Sequence, residues 1–106
     1  MSQHIYPAIY QNRPVTVMIG YDRPLRGFFM VIETNDEMNE YVYSSLDDPA
    51  LLNYIGLPAT PNRFVTKLLD LGIPVHANVI EEIKADQRWK VGNRFVRYDA
   101  AGQVEI

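Results

Sequence analysis

The side chains that could perform acid–base chemistry are few and scattered along the chain. The 106 residues contain two histidines, His4 and His76, and no cysteine. A histidine acts as a catalytic base near neutral pH when a nucleophile or an orienting carboxylate stands beside it. His4 lies in a terminal stretch that we expect to be mobile. His76 precedes a predicted helix, where we expect a partly buried, hydrogen-bonded imidazole. The histidines therefore predict no catalytic centre.

Nucleophile, metal and phosphate motifs are also missing from the sequence. Ser44 and Ser45 lack the glycine context of a nucleophile elbow. Glu82 and Asp86 are one turn apart on a predicted helix, where we expect them to be solvated. The six glycines are isolated, so there is no glycine-rich phosphate loop. We predict no catalytic residue, no metal site and no cofactor. This favours a protein without enzymatic activity but leaves that question open.

Tyrosine and arginine, each present seven times, are the residue types that suggest a contact surface. Both are enriched among residues that dominate protein interfaces. Arg23 and Arg26 flank Pro24 in a predicted connection between two strands, and the proline restricts that loop, so docking would order it at little cost. We predict that Tyr21, Arg23 and Arg26 form a recognition tip.

Charge is distributed unevenly, although the net charge is only −3 and the pI about 5.2. Residues 33–48 contain acidic side chains and no Lys or Arg, whereas residues 84–97 contain five cations and Asp86 alone as an acid. Arg94 and Arg97 of the basic stretch are further candidate binding residues. Their segment loosely resembles the aromatic and basic strand of single-strand RNA-binding domains, but the order of elements differs. The acidic net charge also makes a nucleic-acid partner an unfavoured alternative.

The predicted strands raise one structural question. Val15, Val17 and Ile19 alternate with other residues, as in a strand with one buried face. Residues 27–32 are apolar at nearly every position, as in a strand covered on both faces. We expect the second cover to be the N-terminal residues 5–10, the helices, or a second copy of the protein.

The remaining elements follow from capping and turn signals. Two short helical patterns each begin at a proline and end at a glycine. A third pattern, with a narrow apolar stripe, follows Pro74. We expect Trp89, between helix and strand, to fill the core. The predicted elements are further strands at residues 41–46, 90–98 and 103–106 and helices at 49–56, 61–71 and 74–88.

These signals predict one α+β domain over residues 1–106. We expect a mostly antiparallel sheet of about five strands, three N-terminal and two C-terminal, with two to three helices inserted between them and packed on one face. No leader and no long apolar run is evident, so we predict a cytoplasmic protein without membrane contact. A homodimer is plausible.

Function is predicted largely from what is absent. The leading hypothesis is a small regulatory protein that binds an unknown protein partner. One alternative is a ligand-binding protein or enzyme with a pocket at a dimer interface. The other is a nucleic-acid-associated protein that uses residues 84–97.

Overall fold

The fold is a five-stranded sheet with two α-helices. A computed structural model describes residues 1–35, 40–54 and 57–105. The sheet has the strand order β4-β3-β2-β1-β5. Its strands are β1 Ser2–Tyr10, β2 Arg13–Asp22, β3 Gly27–Thr34, β4 Tyr41–Ser44 and β5 Arg94–Arg97, its helices α1 Asn62–Asp70 and α2 Ala77–Arg88, and its short 3-10 turns Ser45–Asp47 and Pro49–Tyr54.

The sheet is mixed, which corrects the prediction of a mostly antiparallel sheet. The first four strands form antiparallel neighbours, but β5 pairs in parallel with β1. The parallel pairing arises because the two helices carry the chain back across one face of the sheet before β5 begins. The α+β class and the count of five strands are confirmed, and the part of the chain that the structure describes contains two α-helices.

The N-terminal set contains four strands because residues 5–10 belong to β1 and do not cover the sheet. β1 pairs with β2 through a two-residue turn, Gln11 and Asn12, whose φ angles are 50° and 63°. Both central residues of a type I′ hairpin turn require such positive φ angles. At the other end of the chain, Val104 forms an isolated bridge with Tyr98. The predicted strand at residues 103–106 is therefore wrong for its described part, and residue 106 lies outside the described residues.

Both helices pack on the same face of the sheet. Phe64 and Leu68 of α1 and Val79 and Ile83 of α2 are buried against the inward side chains of the strands. The predicted helix at residues 49–56 is the 3-10 turn Pro49–Tyr54 as far as it is described, and residues 55 and 56 lie outside the described residues.

The opposite face, called the open face below, is formed by the outward side chains of the strands. Ile5, Met18 and Val31 lie there half-buried, and Phe29 is 8% exposed. Gly20 is close to the Phe29 ring, and a Cβ at Gly20 would also collide with the carbonyl oxygen of Ser2. Among the described residues, neither α1 nor α2 covers the open face. The expected second cover is thus not supplied by the N-terminal segment.

The free edge of β3 is closed by loops. Its first half extends beyond β4, so its amides need other acceptors. Phe28 N donates to Pro58 O at 2.9 Å and Met30 N to Ser45 Oγ at 3.3 Å. A Cβ on Gly27 would meet Leu57 at 2.5 Å, so this close contact requires glycine. These contacts fix the base of the β2–β3 hairpin.

Candidate functional site: a basic cleft

A concave surface lies where the β2–β3 hairpin, the α2–β5 connection and the start of β1 meet. This basic cleft has a volume of about 840 Å³. The hairpin contributes Tyr21, Arg23 and Arg26, and the opposite wall includes Gln87, Lys90 and Asn93. The structure therefore places the three residues of the predicted recognition tip in one cleft. Their role in binding stays a prediction.

The hairpin wall has a defined backbone. Arg26 N donates to Arg23 O at 3.2 Å, and Leu25 N donates to the Asp22 carboxylate at 3.1 Å. Arg26 has a φ of 55°, in the left-handed region that glycine occupies most easily. The loop is thus closed by hydrogen bonds and contains an arginine in an unfavourable conformation.

The opposite wall is the C-terminal end of α2. Lys90 N donates to Gln87 O at 3.2 Å, and Val91 N donates to Asp86 O at 2.9 Å. With the Lys90 φ of 52°, these bonds form a Schellman motif in which lysine occupies the position that is usually glycine. A second cation is therefore held in a left-handed conformation at the cleft.

The cations of the cleft are not neutralised within the described part of the chain. Arg23, Arg26 and Lys90 are exposed and form no ion pair with any described residue. Among the described residues, no Asp or Glu belongs to the lining. A concave surface with charge of one sign concentrates oppositely charged groups. The arrangement is suited to an anionic ligand.

Tyr21 contributes to the cleft mainly as a support. It is 5% exposed, and its ring packs against Phe28 with 5.2 Å between centroids. Its backbone amide donates to Ser2 Oγ at 3.0 Å. Tyr21 therefore joins the hairpin to the hydrophobic core and to β1.

Two large apolar residues that adjoin cleft residues in the sequence are exposed. Trp89, adjacent to Lys90, is 72% exposed, and Leu25, between the two arginines of the hairpin, is 64% exposed. The prediction that Trp89 fills the core is wrong, because Trp89 follows the last turn of α2 and its side chain stays on the surface. Exposed Trp beside Arg is typical of interface hot spots.

Arg94 and Arg97, the other predicted binding residues, lie outside the cleft and on opposite faces of the sheet. Arg94 contacts Asp86 at 2.8 Å and Glu82 at 2.9 Å on α2. Arg97 lies on the open face, with its guanidinium 5.2 Å from the centroid of the Phe95 ring. The basic stretch of residues 84–97 thus does not form one surface.

The Asp86 network is a set of buried polar side chains that joins β1, α2, β5 and the residue after β5. Asp86 and His4 are completely buried, and His4 Nε2 lies 2.6 Å from Asp86 Oδ2. The carboxylate can only accept, so Nε2 carries the hydrogen. His4 Nδ1 lies 2.7 Å from the Tyr98 hydroxyl. Burial alone would raise the pKa of Asp86, but hydrogen bonds from Ser2, His4 and Arg94 hold it below its usual range.

The Asp86 network also positions the cleft. Its members Ser2, Asp86 and Arg94 are chain neighbours of Met1, Gln87 and Asn93, which line the cleft. Sequence reasoning placed His4 in a mobile terminus and Asp86 on a solvated surface, and both expectations are wrong. The alternation of Ser2, His4 and Tyr6 in β1 was the sequence signal for a strand with one buried face. The signal was hard to recognise because Ser2 and His4 are polar residues, which are not expected at buried positions.

A second polar cluster lies at the other end of the sheet and is satisfied internally. Asp48 accepts from the Tyr43 hydroxyl at 2.6 Å and from Arg63 at 3.0 Å. Burial raises the pKa of Asp48, but hydrogen bonds from Arg63, Tyr43 and the Ala50 amide outweigh it and lower the pKa to about 2. This cluster joins β4 to α1.

His76 is half-buried as expected, but the expected hydrogen bond is not seen. Its Nε2 is buried without a partner among the described residues. The ring packs edge-on against Tyr6, with 4.8 Å between centroids, and next to Gly102. No carboxylate or nucleophile is among these ring contacts, so they give no sign of catalysis.

Comparisons with known proteins found no relative of this chain: no family model, no curated protein and no solved structure matches it. Within residues 1–35, 40–54 and 57–105, no group of three or more His, Asp or Glu could hold a metal ion. No helix in the same part of the chain is long and apolar enough to cross a membrane.

Proposed function

We propose that this protein is a small binding protein that recognises an acidic segment of a partner protein through the basic cleft. The observation that carries the proposal is the convergence of Arg23, Arg26 and Lys90, each without an ion-pair partner among the described residues, on one concave surface. Carboxylates are the protein groups that such cations pair with most strongly.

The exposed apolar residues define the kind of segment. Trp89 and Leu25, which are chain neighbours of cleft residues, offer exposed apolar contact area. An acidic segment that also contains Leu, Phe or Met could bury apolar area while its carboxylates meet the cations. Interfaces commonly combine a few such anchors with a polar rim.

The backbone of the cleft supports binding over a structural role. Arg26 and Lys90 both have positive φ angles, where glycine would be favoured by about 1 kcal/mol. Strain of this kind tends to persist at functional sites. The hydrogen-bonded turn and the Schellman motif also fix both walls, so little conformational entropy would be lost on binding.

A protein partner is favoured over nucleic acid by the charge of the whole molecule. The net charge is −3, and the unpaired cationic side chains that line the cleft in the described part of the chain are those of Arg23, Arg26 and Lys90. A polyphosphate strand would meet overall repulsion and few phosphate contacts. Nucleic acid and small anionic ligands are therefore alternatives that the following experiment distinguishes.

The test is affinity purification of the tagged protein from its native host at its own expression level, followed by mass spectrometry. The variant Arg26→Glu is compared with Lys84→Glu, which makes the same change in charge on α2 outside the cleft. We expect a stoichiometric protein partner whose recovery falls about tenfold or more in Arg26→Glu and is retained in Lys84→Glu. Equal recovery with both variants, or recovery of nucleic acid alone, would contradict the proposal.

A further inference from the structure

We propose that the open face is a self-association surface, on which a second copy of this chain stacks face to face about a two-fold axis parallel to the strands. The proposal is independent of the basic cleft. It rests on the register of the strands, which places each outward side chain in a known row.

The centre of the open face is an apolar row across three adjacent strands. Ile5 of β1 is paired with Met18 of β2, and Met18 is paired with Val31 of β3. All three are half-buried. Phe95 of β5, 53% exposed, lies one row away. Contiguous apolar surface of this kind is typical of interaction sites.

Charges of opposite sign lie on opposite sides of this row. Arg97 of β5 is paired with Ile5 and therefore lies at the β5 end of the row. Glu33 of β3 is one row further along and is paired with Tyr41 of β4. Neither charge forms an ion pair with a described residue. Arg97 lies over the Phe95 ring and lines a hollow with Ile5 and Glu105, but no ion pair with a described residue holds it or Glu33, so each can meet a second molecule across this face.

A two-fold axis along the strands, placed between β1 and β2, makes the face complementary to itself. Such a rotation leaves the position of each row along the strands unchanged and reverses the order of the strands across the sheet. Ile5 of one copy then faces Met18 of the other, and β5 faces β3. Arg97 comes opposite Val31, within one row of Glu33, and Phe95 comes opposite Phe29. Two Arg97–Glu33 contacts are formed in one dimer.

The alternative axis, in the same plane but across the strands, is opposed by charge. That rotation places each strand over its own copy, so an axis through the central row brings Arg97 opposite Arg97, and an axis one row further brings Glu33 opposite Glu33. Neither position brings Arg97 and Glu33 together. Like charges in contact destabilise an interface. The placement of the two charges therefore selects the axis along the strands.

The size of the face predicts a weak dimer. Four strands about 4.8 Å apart and three rows of side chains give about 400 Å² for each copy. The total of about 800 Å² lies below the range of stable interfaces and in that of reversible contacts. We therefore expect association that depends on concentration, in the range of about 10 to 500 µM.

Sedimentation velocity of the full chain over that range tests the proposal. We expect Arg97→Glu and Glu33→Arg each to weaken dimerisation about tenfold, because each places like charges in both contacts. The double variant Arg97→Glu/Glu33→Arg should restore it. Phe95→Ser, at an exposed site, should also weaken it, whereas Arg23→Glu in the cleft should leave it unchanged.

Far-UV circular dichroism of each variant confirms that the chain is folded before association is compared. A chain that stays monomeric throughout the concentration range overturns the proposal. So does a dimer that neither single charge variant weakens, or one that the double variant fails to restore. If a single charge variant does not fold, the comparison of Phe95→Ser with Arg23→Glu decides the outcome.

Discussion

Two charged regions lie next to each other in this protein and use charge in opposite ways. In the Asp86 network, the buried carboxylate accepts hydrogen bonds from Ser2, His4 and Arg94. In the basic cleft, the three cations are exposed and form no ion pair with described residues. The difference indicates that the network holds β1, α2 and β5 together, whereas the cations of the cleft stay exposed to solvent.

Backbone conformation separates the two regions as well. His4, Asp86 and Arg94 lie in regular strands or helix, but Arg26 and Lys90 of the cleft have positive φ angles. Replacing network residues should therefore reduce stability, and replacing cleft residues should reduce binding without that loss. The variants below test this separation.

The largest effect is expected for Asp86→Ala. The substitution leaves His4 and Arg94 without their common carboxylate, and His4 is completely buried. Leaving the buried His4 Nε2–H without an acceptor, and Arg94 with one carboxylate fewer, costs about 3 kcal/mol. Urea unfolding followed by circular dichroism measures the loss. Glu81→Ala, on the exposed side of the same helix, is the control and should change stability by less than about 0.5 kcal/mol. Equal effects at both positions would contradict a structural role for the network.

The Asp48 cluster should behave like the network and respond to acid. The pKa of Asp48 is lowered from 3.8 to about 2 in the folded protein, so the folded state releases this proton more readily than the unfolded state. The stabilisation is fully present above about pH 4 and is lost as the pH falls towards 2. It amounts to about 2 kcal/mol.

Urea unfolding between pH 6 and 2 measures this dependence. In Asp48→Asn the group no longer titrates, so stability should fall less steeply between about pH 4 and 2. The remaining slope includes Asp86, whose pKa is also lowered. An unchanged slope in Asp48→Asn would show that Asp48 does not carry this part of the acid sensitivity.

A smaller effect of opposite sign is expected at the cleft. Arg26→Gly removes a charge and relieves the positive φ angle, so we expect stability to rise by about 1 kcal/mol while binding is lost. Arg26→Ala removes the same charge but keeps the unfavourable conformation, and it should change stability by less than about 0.5 kcal/mol. Thermal unfolding and partner recovery are measured on both. A loss of stability in Arg26→Gly would show that Arg26 stabilises the fold, as Arg94 does, and would contradict its assignment to binding.

The smallest effect is expected at the β1–β2 turn, where positive φ angles occur away from the cleft. Asn12→Gly should raise stability by about 0.5 kcal/mol, because glycine is the preferred second residue of a type I′ turn. Thermal unfolding measures the gain, and binding should be unaffected. Reduced partner recovery in Asn12→Gly would show that the backbone conformation of the β1–β2 turn affects binding at the basic cleft.

Local signals in the sequence predicted much of the fold but not its long-range pairings. The Pro61 and Gly72 signals bounded α1 closely, and the apolar alternation from Val15 indicated β2. β1 was missed because its inward positions include Ser2 and His4, whose burial depends on Asp86, 82 residues beyond His4. The parallel pairing of β5 also depends on where the helices return the chain, which no local pattern encodes.

Some residues of the basic cleft could likewise be grouped from local sequence, whereas others join the cleft only through tertiary packing. Tyr21, Arg23 and Arg26 are close in sequence, so a hairpin was enough to group them. Lys90 joins them through the packing of α2 on the sheet, a tertiary contact without a sequence motif. Trp89 was misassigned because large aromatic residues usually favour burial, and only the end point of α2 determines its exposure.

An NMR titration of the ¹⁵N-labelled protein with a synthetic peptide of alternating Glu and Leu tests directly whether the basic cleft binds an acidic protein segment. We expect saturable shifts at the amides of residues 23–27 and 89–93, accompanied by a change in the emission of Trp89. These shifts should weaken with salt and disappear in Arg23→Ala/Arg26→Ala. Shifts that persist in the double variant, no shifts at all, or tighter binding of an oligonucleotide of equal charge would contradict the assignment of the cleft to an acidic protein segment.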